Sequence, residues 1–110
     1  RSRGLGDVYK RQGDNIMLGK VPISLGKINK ENIDKEILRT AIIAELDAIN
    51  LYEQMAAYTN NEKLREILLD VAREEKTHVG EFLALLLKID PEQVKELEEG
   101  RKEIEELLEK

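Results

Sequence analysis

From Asn32 onward, apolar residues recur at steps of three and four, the spacing of one face of an α-helix. Leu38, Ala41, Ile42, Ala48, Ile49, Tyr52, Met55 and Ala56 form the first such stripe, which predicts a helix from Asn32 to Tyr58. Asn32 is its expected cap, and Asp34 and Glu36 stand in a first turn where the helix dipole favours negative charge. Thr59, Asn60 and Asn61 then break the pattern with a short polar turn. A second stripe of Leu64, Ile67, Leu68, Val71, Ala72, Val79, Phe82, Leu83 and Leu86 predicts a helix from Glu62 to Leu87, folded back on the first as an antiparallel hairpin. Asp90, Pro91 and Gln93 mark the start of a third helix: a capping carboxylate, a proline at the first helical position and a capping-box partner. Val94, Leu97, Ile104 and Leu108 give it a thin stripe among Glu and Lys, and Gly100 reads as a bend or an end. The expected fold class is all-α, an antiparallel two-helix hairpin plus a shorter C-terminal helix, over residues 31–110.

Residues 1–30 read as a disordered or artefactual lead-in. The chain opens on Arg1, and Arg3 to Gln12 shows no usable repeat; Arg1 to Ile16 reads as a translated adapter remnant or a disordered tail, with Met17 a plausible natural start. Gly19, Pro22, Ser24 and Gly26 make the following stretch a loose, extended lead-in.

Composition narrows the function. At 110 residues and 41% hydrophobic content the chain has material for one small domain with one modest core. A net charge of −5 without a basic block argues against a nucleic-acid partner and suits a protein that handles cations. With no cysteine, neither a disulfide framework nor a thiolate metal site can form. No apolar run approaches the roughly 18 residues needed to cross a bilayer, and no secretory leader is visible. The expectation is a soluble cytoplasmic protein with no membrane partner.

The chemistry lies in the gaps of the stripes. The vacancy in the first holds Glu45; the vacancy in the second holds Glu75 and His78, the one histidine of the chain. Glu45 precedes Asn60 by 15 residues and Glu75 follows it by 15, so each lies roughly 22 Å from the turn and the hairpin brings both to one level. His78 is one turn from Glu75 on the same face. Taken singly, each of these residues reads as a solvated edge carboxylate or a hydrogen-bonded core histidine. Taken together, two carboxylates on apolar stripes need a compensating charge, which a metal ion supplies. Carboxylates with imidazole and no thiolate suit iron, manganese or zinc. Di-metal carboxylate bundles draw one Glu from each of two helices and Glu-x-x-His from each of two others. This chain holds half of that set, so the remaining ligands are expected from a second copy, in a homodimer that completes a four-helix bundle.

Two segments carry a family resemblance. Ala41-Ile42-Ile43-Ala44-Glu45-Leu46-Asp47-Ala48-Ile49-Asn50-Leu51-Tyr52-Glu53-Gln54 is similar to the first-helix motif of the encapsulated ferritins, and Ala72-Arg73-Glu74-Glu75-Lys76-Thr77-His78-Val79-Gly80-Glu81-Phe82 resembles their second-helix motif. The likeness runs from Ile37 to Glu96 and is closest to the archaeal type fused to its encapsulin shell. It implies a ferroxidase that oxidises Fe(II) with O2 at a di-iron centre, in dimers assembled into a ring-shaped decamer within an encapsulin nanocompartment that stores the mineral. On the match, Glu45, Glu75 and His78 are iron ligands and Tyr52 stands near the site, where a plain core aromatic is the alternative; Glu75, centrally placed in both motifs, is the expected bridging carboxylate. Ala44 occupies a position where some relatives carry a second acid of an outer iron site; Asp47 matches another acid of that site, or is simply solvated. The C-terminal residues lack the apolar targeting tail of separate cargo, which reads as truncation or as a domain cut from a shell fusion. A non-catalytic assembly or shell-anchoring module is the rival reading. A rubrerythrin-type peroxidase or a manganese catalase is the rival enzyme.

Overall fold

A computed structural model describes residues 30–109; the expectations for the lead-in, including the start at Met17, lie outside the described residues. The chain is all-α over that range: α1 Lys30–Tyr58, α2 Glu62–Ile89 and α3 Pro91–Leu108. Asn32 sits inside α1 and does not cap it. Its capping preference is worth only about 1 kcal/mol, and the helix-forming Lys30 and Glu31 before it continue the helix instead.

The hairpin turn is built as the polar break predicted. Asn61 has an extended backbone and caps α2, its Oδ1 accepting from the Leu64 N–H at 3.0 Å. Thr59 Oγ1 accepts from the Asn61 N–H at 3.0 Å. No basic residue occupies the last turn of α1, and the carbonyls there are met from the next helix: Arg65 donates through Nε to the Ala56 carbonyl at 2.9 Å and through Nη2 to the Thr59 carbonyl. The guanidinium also pairs with Glu62.

Between α1 and α2 the buried apolar residues are Ala48, Ile49, Ala56, Ala72 and Leu86. Three alanines among five let the helices approach closely, but two helices cannot enclose the larger side chains on their flanks. Ile37, Met55, Leu64, Ile67, Leu85 and Ile89 therefore remain exposed. By the helical repeat, Ile37 and Met55 on α1 and Ile67 and Leu85 on α2 edge the same side of the hairpin.

Asp90 alone separates α2 from α3, and caps α3 by accepting from the Gln93 N–H at 3.1 Å, with Pro91 at the first position. Gly100 does not end α3, which continues through it to Leu108, and a Cβ added there would meet nothing. No residue of α3 is buried, and Val94, Leu97, Ile104 and Leu108 all lie in the open. Among the described residues no helix is long and apolar enough to cross a membrane.

Candidate metal centre

Glu45 stands at the middle of α1, and Glu75 and His78 are one turn apart at the middle of α2. The antiparallel register sets them opposite one another, and one donor atom from each lies within 4.8 Å of the other two. His78 Nδ1 is 2.7 Å from Glu45 Oε2 and 3.3 Å from Glu75 Oε1. The two carboxylates are mostly covered, each 17% exposed, while the imidazole is 44% exposed at the edge. That edge is the side that carries Ile67 and Leu85.

Electrostatics describe a cluster short of positive charge. Burial, then a hydrogen bond shared with Glu45 and the charge of Glu45, pushes the Glu75 carboxyl above its ordinary range. Burial works to lower the His78 imidazole, but the Glu45 hydrogen bond and the charges of Glu45, Glu75 and Glu81 outweigh it, and the net direction is upward. Both shifts say that Glu75 and His78 hold protons more tightly within the cluster. A cation placed among them would take over that role. Two carboxylate donors and one imidazole, in a chain without thiolates, fit a hard or borderline divalent metal such as iron, manganese or zinc. They fit as half a di-metal site, because one hairpin supplies one Glu and one Glu-x-x-His where the full bundle has two of each.

Tyr52 is half-buried two turns beyond Glu45 on α1 and is not one of the three converging donors. Seven residues apart on one helix, Tyr52 and Glu45 share the same stripe of α1. Asp47 is not solvated as expected: it is 1% exposed, and burial raises its carboxyl. Its position, roughly 200° around α1 from Glu45, puts it on the back of that helix, away from the three donors. Glu81, one turn after His78, adds to the negative potential on the imidazole; its i+3 spacing was the signal for it.

Similarity to known proteins points the same way. The chain is 74% identical over 72 residues to a ferritin-like-encapsulin shell fusion protein of Pyrococcus furiosus, an alignment that covers 66% of this chain and 21% of that one. It is 44% identical over 63 residues to an encapsulin nanocompartment cargo protein of Myxococcus xanthus, covering 57% of this chain and 48% of the relative. The chain thus spans about a fifth of the first relative and about half of the second. Among solved structures, the encapsulated ferritin domain from Pyrococcus furiosus superposes with a TM-score of 0.70 at 60% identity, over 80% of this chain and 95% of that one. The rubrerythrin family model matches residues 36–109. The chain belongs to the rubrerythrin family and has the fold of the encapsulated ferritins.

Proposed function

We propose that the protein is a ferroxidase that oxidises Fe(II) to Fe(III) with O2 at a di-iron centre shared between two copies of the chain. The observation that carries this reading is the convergence of Glu45, Glu75 and His78 within 4.8 Å, half a ligand set at the open edge of a hairpin. Ile37 and Met55 of α1 and Ile67 and Leu85 of α2 are exposed on that edge, an apolar surface suited to a second copy. A pair laid face to face would assemble four carboxylates and two imidazoles in a four-helix bundle.

Each side chain then has a task. Glu45, Glu75 and His78 would hold the iron, with Glu75 as the carboxylate shared between the two ions and Glu45 and His78 as the remaining ligands. In the metal-free protein, Glu45 Oε2 shares a proton with His78 Nδ1, and loading requires that proton to leave. Tyr52 closes the stripe beyond Glu45 and helps keep bulk water from the site. A bound pair of irons supplies electron transfer to O2. The names of the Pyrococcus and Myxococcus relatives support a place in an encapsulin nanocompartment of the cytoplasm. Dimers arranged as a ring-shaped decamer would form an open annulus, which needs the shell to hold mineral.

The 2.7 Å contact between Glu45 and His78 also favours a second reading, a non-catalytic assembly module in which the cluster is an ion pair. A rubrerythrin-type peroxidase or a manganese catalase would share the donor set. Anaerobic addition of Fe(II), followed by air with optical detection of Fe(III), separates these. Rapid oxidation in the parent and its loss in His78→Ala support the ferroxidase; equal slow rates in both would leave the ion-pair reading standing.

A further inference from the structure

The joint between α2 and α3 is a single residue. Asp90 is the C-cap of one helix and the N-cap of the next, and its side chain is 7% exposed. Its two oxygens serve different elements: Oδ1 accepts from the Gln93 N–H of α3 at 3.1 Å, and Oδ2 accepts from the Arg39 guanidinium of α1 at 3.1 Å. One carboxylate thus joins all three helices. The Gln93 N–H, with Lys35 and Arg39 close by, holds that carboxyl below the usual carboxylate range, so it is ionised wherever the protein is folded near neutrality.

Packing does little to direct α3. It has no buried residue and meets α2 sparingly. Pro91 restrains the backbone of Asp90, whose φ of −133° and ψ of 83° lie outside the helical region, but a restrained residue between two helices still leaves a hinge. Beside the hinge runs an apolar groove lined by Arg39, Ile42, Ile43, Leu83, Leu86 and Gln93. Arg39 lies across α1 from Ile37 and Met55, on the opposite side of the hairpin from the exposed edge of His78.

We propose that the Arg39–Asp90 pair is a latch that fixes the direction in which α3 leaves the hairpin. It thereby sets where the exposed stripe of Val94, Leu97, Ile104 and Leu108 is presented. An arginine suits the task, because its planar, always-charged fork loses less freedom per bond than a lysine would. The latch stands apart from the metal centre.

The chain has no cysteine, so introduced pairs report distances by spin labelling without interference. Ala84→Cys with Lys102→Cys spans the hinge; Asn50→Cys with Ala84→Cys lies within the hairpin and serves as reference, all at exposed positions. Labelled full-length protein is diluted with unlabelled protein, so that only distances within one chain are read. The expected result is one narrow distance across the hinge in the parent, lost in Arg39→Ala and in Asp90→Ser, with the reference distance unchanged. Serine keeps the helix cap but cannot reach Arg39. A hinge distance that stays narrow in Arg39→Ala overturns the latch, and so does equal broadening of the reference pair, which would mean general loosening.

Discussion

Replacing Glu75 by glutamine tests whether the cluster is built for a metal or for its own stability. Two ionised carboxylates with oxygens within 4.8 Å repel by about 3.5 kcal/mol at an effective dielectric constant of about 20. A proton held in the cluster removes part of that repulsion. His78, while protonated, attracts Glu75 and works in the other direction. The sign of the pH dependence follows from both groups. The folded-state pKa values of Glu75 and His78 are both raised, so each contributes stability that is complete below its unfolded value and lost as pH rises through its folded value. The metal-free parent should therefore lose stability from mildly acidic toward alkaline pH, while Glu75→Gln should lose less. At alkaline pH, once the imidazole has lost its proton, the variant should equal the parent or exceed it by on the order of 3 kcal/mol. Metal behaves oppositely, since its ligands must be deprotonated. A divalent ion at 100 times its dissociation constant should stabilise the parent by about 2.7 kcal/mol and the variant far less. Thermal melts of both proteins at several pH values, with chelator or with Mn(II), measure every term. A metal-free Glu75→Gln that melts far below the parent at all pH values, with its Mn(II) response intact, would show the carboxylate to be structural.

Other outcomes follow from the same geometry. Elemental analysis of iron-loaded, desalted protein should give about one iron per chain, two per pair; two per chain would contradict a shared site. Fe(II) added without oxygen should shift light scattering toward larger assemblies, because ligands from two chains meet on it; a chain that binds iron and stays monomeric would refute the pairing. Arg65→Ala removes a charged donor from the Ala56 and Thr59 carbonyls at the end of α1 and should cost about 1–3 kcal/mol in urea unfolding; an unchanged midpoint would mean water replaces it without loss.

The hairpin was legible because its signals are local. The three-four period of the stripes, the Thr59-Asn60-Asn61 break and the Asp90-Pro91 start are each written in a few consecutive residues, and each appears where expected. The meeting of Glu45, Glu75 and His78 was legible too, since a tight antiparallel turn converts sequence distance directly into level. What escaped depends on weak preferences or on distant contacts. Asn32 lost its capping role to the continuing helix, and Gly100 was tolerated within α3, where each preference is worth only about 1 kcal/mol. The burial of Asp47 on the back of α1 is a tertiary matter that the front stripe cannot encode. The Arg39–Asp90 pair joins residues 51 apart with no local mark of either.

A di-iron centre completed by two copies of one chain is an arrangement that crystallography can see. Its most direct measurement is a crystal structure of protein loaded with Fe(II), with anomalous scattering collected at the iron edge. Two iron peaks about 3.5–4 Å apart are expected between two antiparallel hairpins, each peak ligated by Glu45, Glu75 and His78 side chains from the pair. A single peak held within one hairpin, or no peak beside these three residues, would contradict it.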